Sequence, residues 1–269
     1  MAHVIPLRSA GDPRVDDFRD LTTADRRPDR PGGRGLVIAE GVVVVRRLLG
    51  SPYPPRALLG VPAKIAELAP DLAGHDIPAY QCDASTMAEV VGFHLNRGVL
   101  AVADRATPVA LPTLLAGSRV LAVLEGVNDH ENLGALFRNA AALGVSGILL
   151  GPRCADPLYR RSVRVSMGHV LRVPFAPLDA EPFAKGLAEL RASGFRVVAL
   201  TPRAEAKPLA AAGLSGAKVA VLLGAEGPGL SEEALAAADE WVRVPMAPGV
   251  DSLNVATAAA VAFYAALDA

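Results

Sequence analysis

The sequence predicts an α/β protein: a small N-terminal α/β domain, then a C-terminal α/β domain built on a mostly parallel sheet. Three observations carry that prediction. Strand-length apolar runs alternate with helix-length amphipathic segments along most of the chain. Several runs, such as Val219-Ala220-Val221-Leu222 after Lys218, are continuously apolar, as strands covered on both faces are. The 269 residues, 51% hydrophobic and 20% charged, suit one large or two small globular domains.

The elements follow in order. A weak stripe of Val15, Phe18 and Leu21 predicts a helix over 12–27, followed by a Gly/Pro loop over 30–35. A strand over 36–39 leads to an apolar helix over 41–49. Strand 56–61 precedes a helix over 62–72 that opens on Pro62, a residue suited to a first turn. Strand 78–82, helix 84–91 and strand 98–103 complete a domain over 1–106. Residues 107–118 hold Pro108, Pro112 and Gly117 without a strong period and are expected to form a linker. The second domain, 119–269, begins with strand 119–125, helix 132–143 and strand 145–150. Helix 157–167, strand 170–173, helix 181–193 and strand 195–200 follow. Strand 218–222, helix 232–239, strand 240–244 and helix 253–267 end the chain.

Bulk properties narrow the function classes. No apolar run approaches the length of a membrane span, and 41–50 is broken by Arg46 and Arg47, so no span is expected. The first residues lack a secretory core, which points to the cytoplasm. Cys82 and Cys154 stand far apart, with no zinc spacing and no disulfide framework, and are expected to be buried bystanders. No ligand cluster calls for a metal. A net charge of −1 says little, since nucleic-acid binders are more often basic overall. Locally, however, Arg153, Arg160, Arg161, Arg164 and Arg172 face only Asp156. Such a run either contacts phosphates or forms a solvated helix face. Arg160 and Arg164, four apart on one expected helix, are the best phosphate candidates.

Polar residues interrupt the apolar pattern at three strand-to-helix junctions, where open α/β sheets bind ligands. The first is Asn128-Asp129-His130-Glu131-Asn132-Leu133-Gly134, running on to Arg138 and Ala140. The second is Leu223-Gly224-Ala225-Glu226-Gly227-Pro228-Gly229-Leu230-Ser231. Its glycines leave backbone amides uncovered, yet it lacks the Lys-Ser/Thr ending of a phosphate loop and the spacing of a dinucleotide fingerprint. The third is Val244-Pro245-Met246, then Asp251-Ser252-Leu253-Asn254. Singly each has a plain reading: Asn128, Asn132 or Ser252 as a helix cap, Arg138 as a surface charge.

Together the three resemble the motifs of the SpoU (TrmH-like) family of RNA ribose methyltransferases, within the SPOUT superfamily. Asn132, Gly134, Arg138 and Ala140 match the first motif, Leu223 to Leu230 the second, and Val244, Pro245, Met246, Ser252, Leu253, Asn254 and Val255 the third. The likeness spans 119 to the C-terminus. More weakly, 36–41 and 96–101 resemble the RNA-binding domain that precedes it in many members. There, Asn96-Arg97-Gly98 stands where many relatives have His-Gln-Gly, with His94 two positions earlier, which puts the target in doubt.

The resemblance implies a trefoil knot, a homodimer packed through the knotted region, S-adenosylmethionine as methyl donor, and a ribose 2′-hydroxyl of tRNA or rRNA, not DNA, as acceptor. Leu223, Gly224, Glu226, Gly227, Val244, Met246 and Leu253 then fall at the cofactor, Glu226 there or on the RNA side, which Arg160 and Arg164 join from their spacing alone. Arg138 is implied at the reacting hydroxyl, with Asn132, Asn254 and Ser252 around it. A guanidinium gives up its proton so reluctantly that orientation and charge stabilisation make a more tractable role for Arg138 than that of a base. His169, after Ser166-Met167-Gly168, stays outside the catalytic set. Two alternatives remain: an RNA-binding accessory protein without turnover, and a base methyltransferase of the same superfamily.

Overall fold

The structure, a computed structural model, describes residues 2–19, 21 and 35–267. It divides into two compact units: Met1–Thr107 with Pro157–Arg172, and Pro108–Asp156 with Val173–Ala269. The expected loop over 30–34 and most of the expected helix beyond residue 19 lie outside the described residues. Within them, Pro13–Phe18 is a 3₁₀ helix capped by Asp12, whose carboxylate accepts the Arg14 amide.

The first unit is a five-stranded mixed sheet in the order β1-β4-β3-β5-β2. Its strands are β1 (His3–Pro6), β2 (Leu36–Glu40), β3 (Pro55–Gly60), β4 (Pro78–Gln81) and β5 (Val99–Asp104). β4 runs parallel to β1 and β3, and β5 antiparallel to β2 and β3. Short β1 has too few residues to show a period and was not expected from the sequence. Helices α1 (Val42–Leu49), α2 (Pro62–Leu72) and α3 (Ala84–Val91) complete the alternation. Pro62 opens α2 as expected, and Asp83 caps α3 through the Thr86 amide at 2.7 Å. Phe18, Leu59, Met87 and Leu100 meet in the core beneath α3.

Cys82 lies in that core, and burial pushes its thiol from the ordinary 9.0 up to about 11. Two pH units correspond to about a hundredfold less thiolate at mildly alkaline pH, and the thiolate is the reactive form. Cys82 should therefore alkylate at least about tenfold more slowly at pH 8.5 in the native protein than in urea. Equal rates, followed by mass spectrometry, would contradict the packing.

The segment Pro157–Arg172 belongs to this first unit, although it continues the sequence of the second. It contains α6 (Arg160–Val165) and a 3₁₀ turn at His169–Leu171. Arg47 donates to the Met167 carbonyl, and Gly168 packs on Val44 and Arg47 with φ 83°. That left-handed residue turns the chain, so the strand expected over 170–173 does not form. Strand pairing begins later, at β8 (Phe175–Pro177).

The second unit holds a seven-stranded sheet in the order β10-β12-β9-β11-β6-β7-β8, every pair parallel. Its strands are β6 (Val120–Leu124), β7 (Gly147–Leu150), β8, β9 (Arg196–Leu200), β10 (Lys207–Pro208), β11 (Val219–Leu223) and β12 (Glu240–Arg243). Both β6 and β11 are buried along their whole length, which accounts for their unbroken apolar runs. One face is covered by α4 (Leu111–Ala116), α7 (Phe183–Ala192) and α8 (Glu232–Ala237), through Leu114, Leu187 and Leu235. On the other, α5 (His130–Ala142) and α9 (Val255–Ala265) pack together, and Phe137 of α5 meets Phe175 of β8 edge-on at 5.6 Å. Helix α4 occupies the stretch expected as a linker. Pro112 reads as a breaker in sequence but sits in the first turn, where its missing N–H costs nothing, while Leu114 and Leu115 enter the core.

Candidate active site

In the second unit, three of the junctions lie at the carboxyl ends of β6, β11 and β12, the edge where parallel sheets leave helix N-termini and loops free to hold ligands. The chain leaves β6 through Glu125 and enters α5 at Asp129. That carboxylate accepts the Glu131 and Asn132 amides, each at 2.9 Å. Asp129, not Asn128 or Asn132, is therefore the cap, and the Asn132 side chain is released for other work. Six residues on, Arg138 is exposed and has no hydrogen bond or ion pair among the described residues.

After β11 the chain folds into a narrow loop. The Gly229 amide donates to the Ala225 carbonyl at 3.0 Å, closing an antiparallel bridge between those residues. A side chain at Gly224 would lie 2.3 Å from the Gly229 carbonyl carbon and 2.4 Å from the Leu230 nitrogen, so only glycine fits. Gly227 and Gly229 adopt positive φ of 84° and 72°, and nothing stands within 4 Å of where their side chains would be. The outer surface of the loop is thus open. Ser231 ends it by capping α8 through the Ala234 amide at 3.1 Å.

The third junction supplies the connection. Asn254 caps α9, its side-chain oxygen accepting the Ala256 and Thr257 amides at 3.0 and 3.2 Å. The expected helix start at 253 and the capping role open to Ser252 both give way to this cap. The other end of the Asn254 amide donates to Asn132 Oδ1 at 2.7 Å and to Glu226 Oε1 at 2.9 Å. One side chain therefore ties together all three sequence islands.

Beside this knot of hydrogen bonds is a cleft whose lining includes Leu223, Gly224, Glu226, Gly227, Val244, Met246 and Leu253, all seven residues expected at the cofactor, together with Ser252. Its walls also include Leu200 at the end of β9, Thr201 and Pro202 just beyond it, and Val255 and Ala258 of α9. The β9 residues went unnoticed in the sequence because only the strand order, with β9 beside β11, brings them there. Apolar walls with loop backbone at one rim suit a flat heterocycle, and the Asn132–Asn254–Glu226 cluster offers polar groups for a hydroxylated acceptor.

Arg160 and Arg164 lie on α6, in the first unit. Arg160 is mostly buried, pairs with Glu40 at 3.3 Å and stacks over Phe93 at 4.7 Å. It is spent on that packing, whereas Arg164 is exposed. The shared phosphate-facing surface expected from their spacing thus reduces to Arg164.

Residues 119–264 match the SpoU rRNA Methylase family. An uncharacterised tRNA/rRNA methyltransferase of Mycobacterium tuberculosis is 57% identical over 255 residues, covering 94% of this chain and 88% of the relative. A 23S rRNA (guanosine-2′-O-)-methyltransferase of a Burkholderia species is 33% identical over 189 residues, 69% of this chain and 75% of its own. Among solved structures, the AdoMet-bound rRNA methyltransferase of Sinorhizobium meliloti superposes with a TM-score of 0.77 at 26% identity, over 98% of this chain and 97% of that one.

Proposed function

The chain belongs to the SpoU rRNA methylase family, and from that premise we propose that it transfers a methyl group from S-adenosylmethionine to a ribose 2′-hydroxyl of tRNA or rRNA. The observation that carries this reading is the Asn254 amide, which joins Asn132 and Glu226 beside the cleft. The similar Burkholderia enzyme, named for guanosine 2′-O-methylation, supports ribose as the acceptor, and the AdoMet-bound neighbour supports the donor.

The residues fit that donor. Leu223, Val244, Met246 and Leu253 offer an apolar slot for adenine, and the open faces of Gly227 and Gly229 let the donor approach the loop backbone closely. When bound, the donor supplies an electrophilic methyl group on sulfur. The protein's share is to hold the acceptor oxygen in line and favour its negative charge. Arg138, exposed and without an internal partner among the described residues, has its guanidinium available to an RNA phosphate and the attacking oxygen. Its guanidinium orients the hydroxyl and the adjacent phosphate and stabilises the developing negative charge as the hydroxyl proton leaves to solvent. Asn132, fixed by Asn254, orients the ribose, and Ser252 completes the wall.

A homodimer and the knotted passage belong to the same proposal. Tyr264 and Val261 stand 71% and 39% exposed on α9, as a face awaiting a second copy would. A cytoplasmic site of action fits an RNA acceptor, and no helix among the described residues is long and apolar enough to cross a membrane.

Incubation with methyl-labelled donor and either rRNA or tRNA, followed by nuclease digestion and mass spectrometry, tests the reaction. The expected product is a 2′-O-methylated nucleotide. A methylated base would move the enzyme to the base-modifying branch, and RNA binding without donor binding would make it an accessory protein.

A further inference from the structure

We propose that Glu125 is a positioning residue: its buried carboxylate holds the return limb of the 223–231 loop in place and so sets the shape of the cleft. The proposal rests on the reading of that cleft as the methyl-donor site.

Glu125 is the first polar residue after five buried apolar residues of β6, and it is only 3% exposed. Its backbone amide donates to the Leu223 carbonyl at 2.9 Å, extending the β6–β11 pairing by one step. Its Oε2 accepts the Ser231 amide at 2.9 Å, and Arg153 approaches Oε1 at 3.6 Å. A carboxylate at this depth is costly to desolvate, and an apolar residue would continue the strand without that cost. What the carboxylate adds is a grip on the finish of the loop at Ser231, while the backbone of the same residue holds its start at Leu223.

Apart from Leu230, which is buried in the core, the loop has few other ties. The Ala225–Gly229 bridge closes it upon itself, and Asn254 reaches Glu226 near the tip from the acceptor side. Its finish is joined to the sheet edge by the Glu125–Ser231 hydrogen bond. Released there, Gly229 can move from its packed position against Gly224, and the cleft loses one rim. Arg153 has a 73% exposed side chain and a left-handed φ of 59°, and it reaches the other oxygen from solvent. It balances charge but does not hold the loop.

The role predicts weaker donor binding with an unchanged maximal rate. Calorimetric titration with S-adenosylhomocysteine would compare the wild type with Glu125→Ala, Glu125→Gln, Ser231→Ala and Ser231→Pro. Proline suits the Ser231 φ of −66° and removes the amide hydrogen, whereas alanine removes only the hydroxyl cap. Glu125→Ala and Ser231→Pro should each bind about tenfold more weakly, with KM for the donor raised and kcat kept. Their combination should be no weaker than either alone. Glu125→Gln, whose carbonyl can accept the same amide, should recover most of the affinity, and Ser231→Ala should bind more tightly than Ser231→Pro. Hydrogen exchange without ligand should show residues 224–231 exchanging faster in Glu125→Ala. Additive losses, or loop exchange unchanged by Glu125→Ala, would overturn the role. Faster exchange in Glu125→Ala beside a wild type that binds no S-adenosylhomocysteine would keep the grip on the loop and sink the donor-site reading instead.

Discussion

Gly224→Ala is expected to abolish donor binding and to lower stability by about 3 kcal/mol, near the upper end for overpacking a filled site. The new methyl would fall 2.3 to 2.7 Å from the carbon and oxygen of Gly229 and the nitrogen of Leu230. All three are backbone atoms, so no rotamer change relieves the clash. Either the β11 strand end or the loop must move, and both shape the cleft. In a chain of this size the melting temperature should fall by about 6–12 °C. Gly74→Ala is the control, since nothing lies within 4 Å of its added carbon. Scanning calorimetry and ligand titration on the pair would decide the matter; a Gly224→Ala protein that binds S-adenosylhomocysteine like the wild type would refute the loop's place at the cofactor.

Arg138→Ala should behave in the opposite way. Its side chain is exposed and supports nothing else among the described residues, so stability should change by less than about 0.5 kcal/mol. Donor affinity should also hold, because Arg138 is absent from the lining of the cleft. The turnover rate, however, should fall by about 10²–10³-fold, as when a donor aimed at developing oxyanion charge is removed. Arg138→Lys keeps the charge but not the planar fork and should restore only part of the rate. Radiolabel transfer at saturating donor and RNA reads this directly, and wild-type turnover by Arg138→Ala would remove the residue from the mechanism.

Periodicity made most helices and long strands of this chain legible, because buried parallel strands such as 219–223 leave unbroken apolar runs. The short pairings did not announce themselves. β1, β8 and β10 have four, three and two residues and exist only because a neighbouring strand offers its edge. Capping was misplaced for a related reason. Asp129 and Asn254 compete with adjacent Asn and Ser residues of similar capping strength, and only the backbone path selects between them. In the candidate site, the glycine pattern and the apolar positions of the three islands were readable, since each departs from its local surroundings. Glu125 was not. It looks like the ragged end of a strand until β11 is laid beside β6 and Ser231 comes within reach. Arg160 failed the other way: its spacing from Arg164 suggested a shared surface, and its partner Glu40 lies 120 residues away.

The strand order also governs when during synthesis this protein becomes competent. β6 is made early in its unit, but one of its two neighbours, β11, leaves the ribosome only after β7, β8, β9 and β10. Until then β6 presents one unpaired edge to the cell and β9, whose other neighbour β12 is made later still, presents two, the kind of surface on which nascent chains stick to one another. The cleft needs β11, β12 and the first turn of α9, so it cannot pre-form on a partial chain. A fragment ending before residue 219 would therefore be a chaperone client rather than a smaller enzyme, and ligand binding would serve as a signal that translation had passed the first turn of α9.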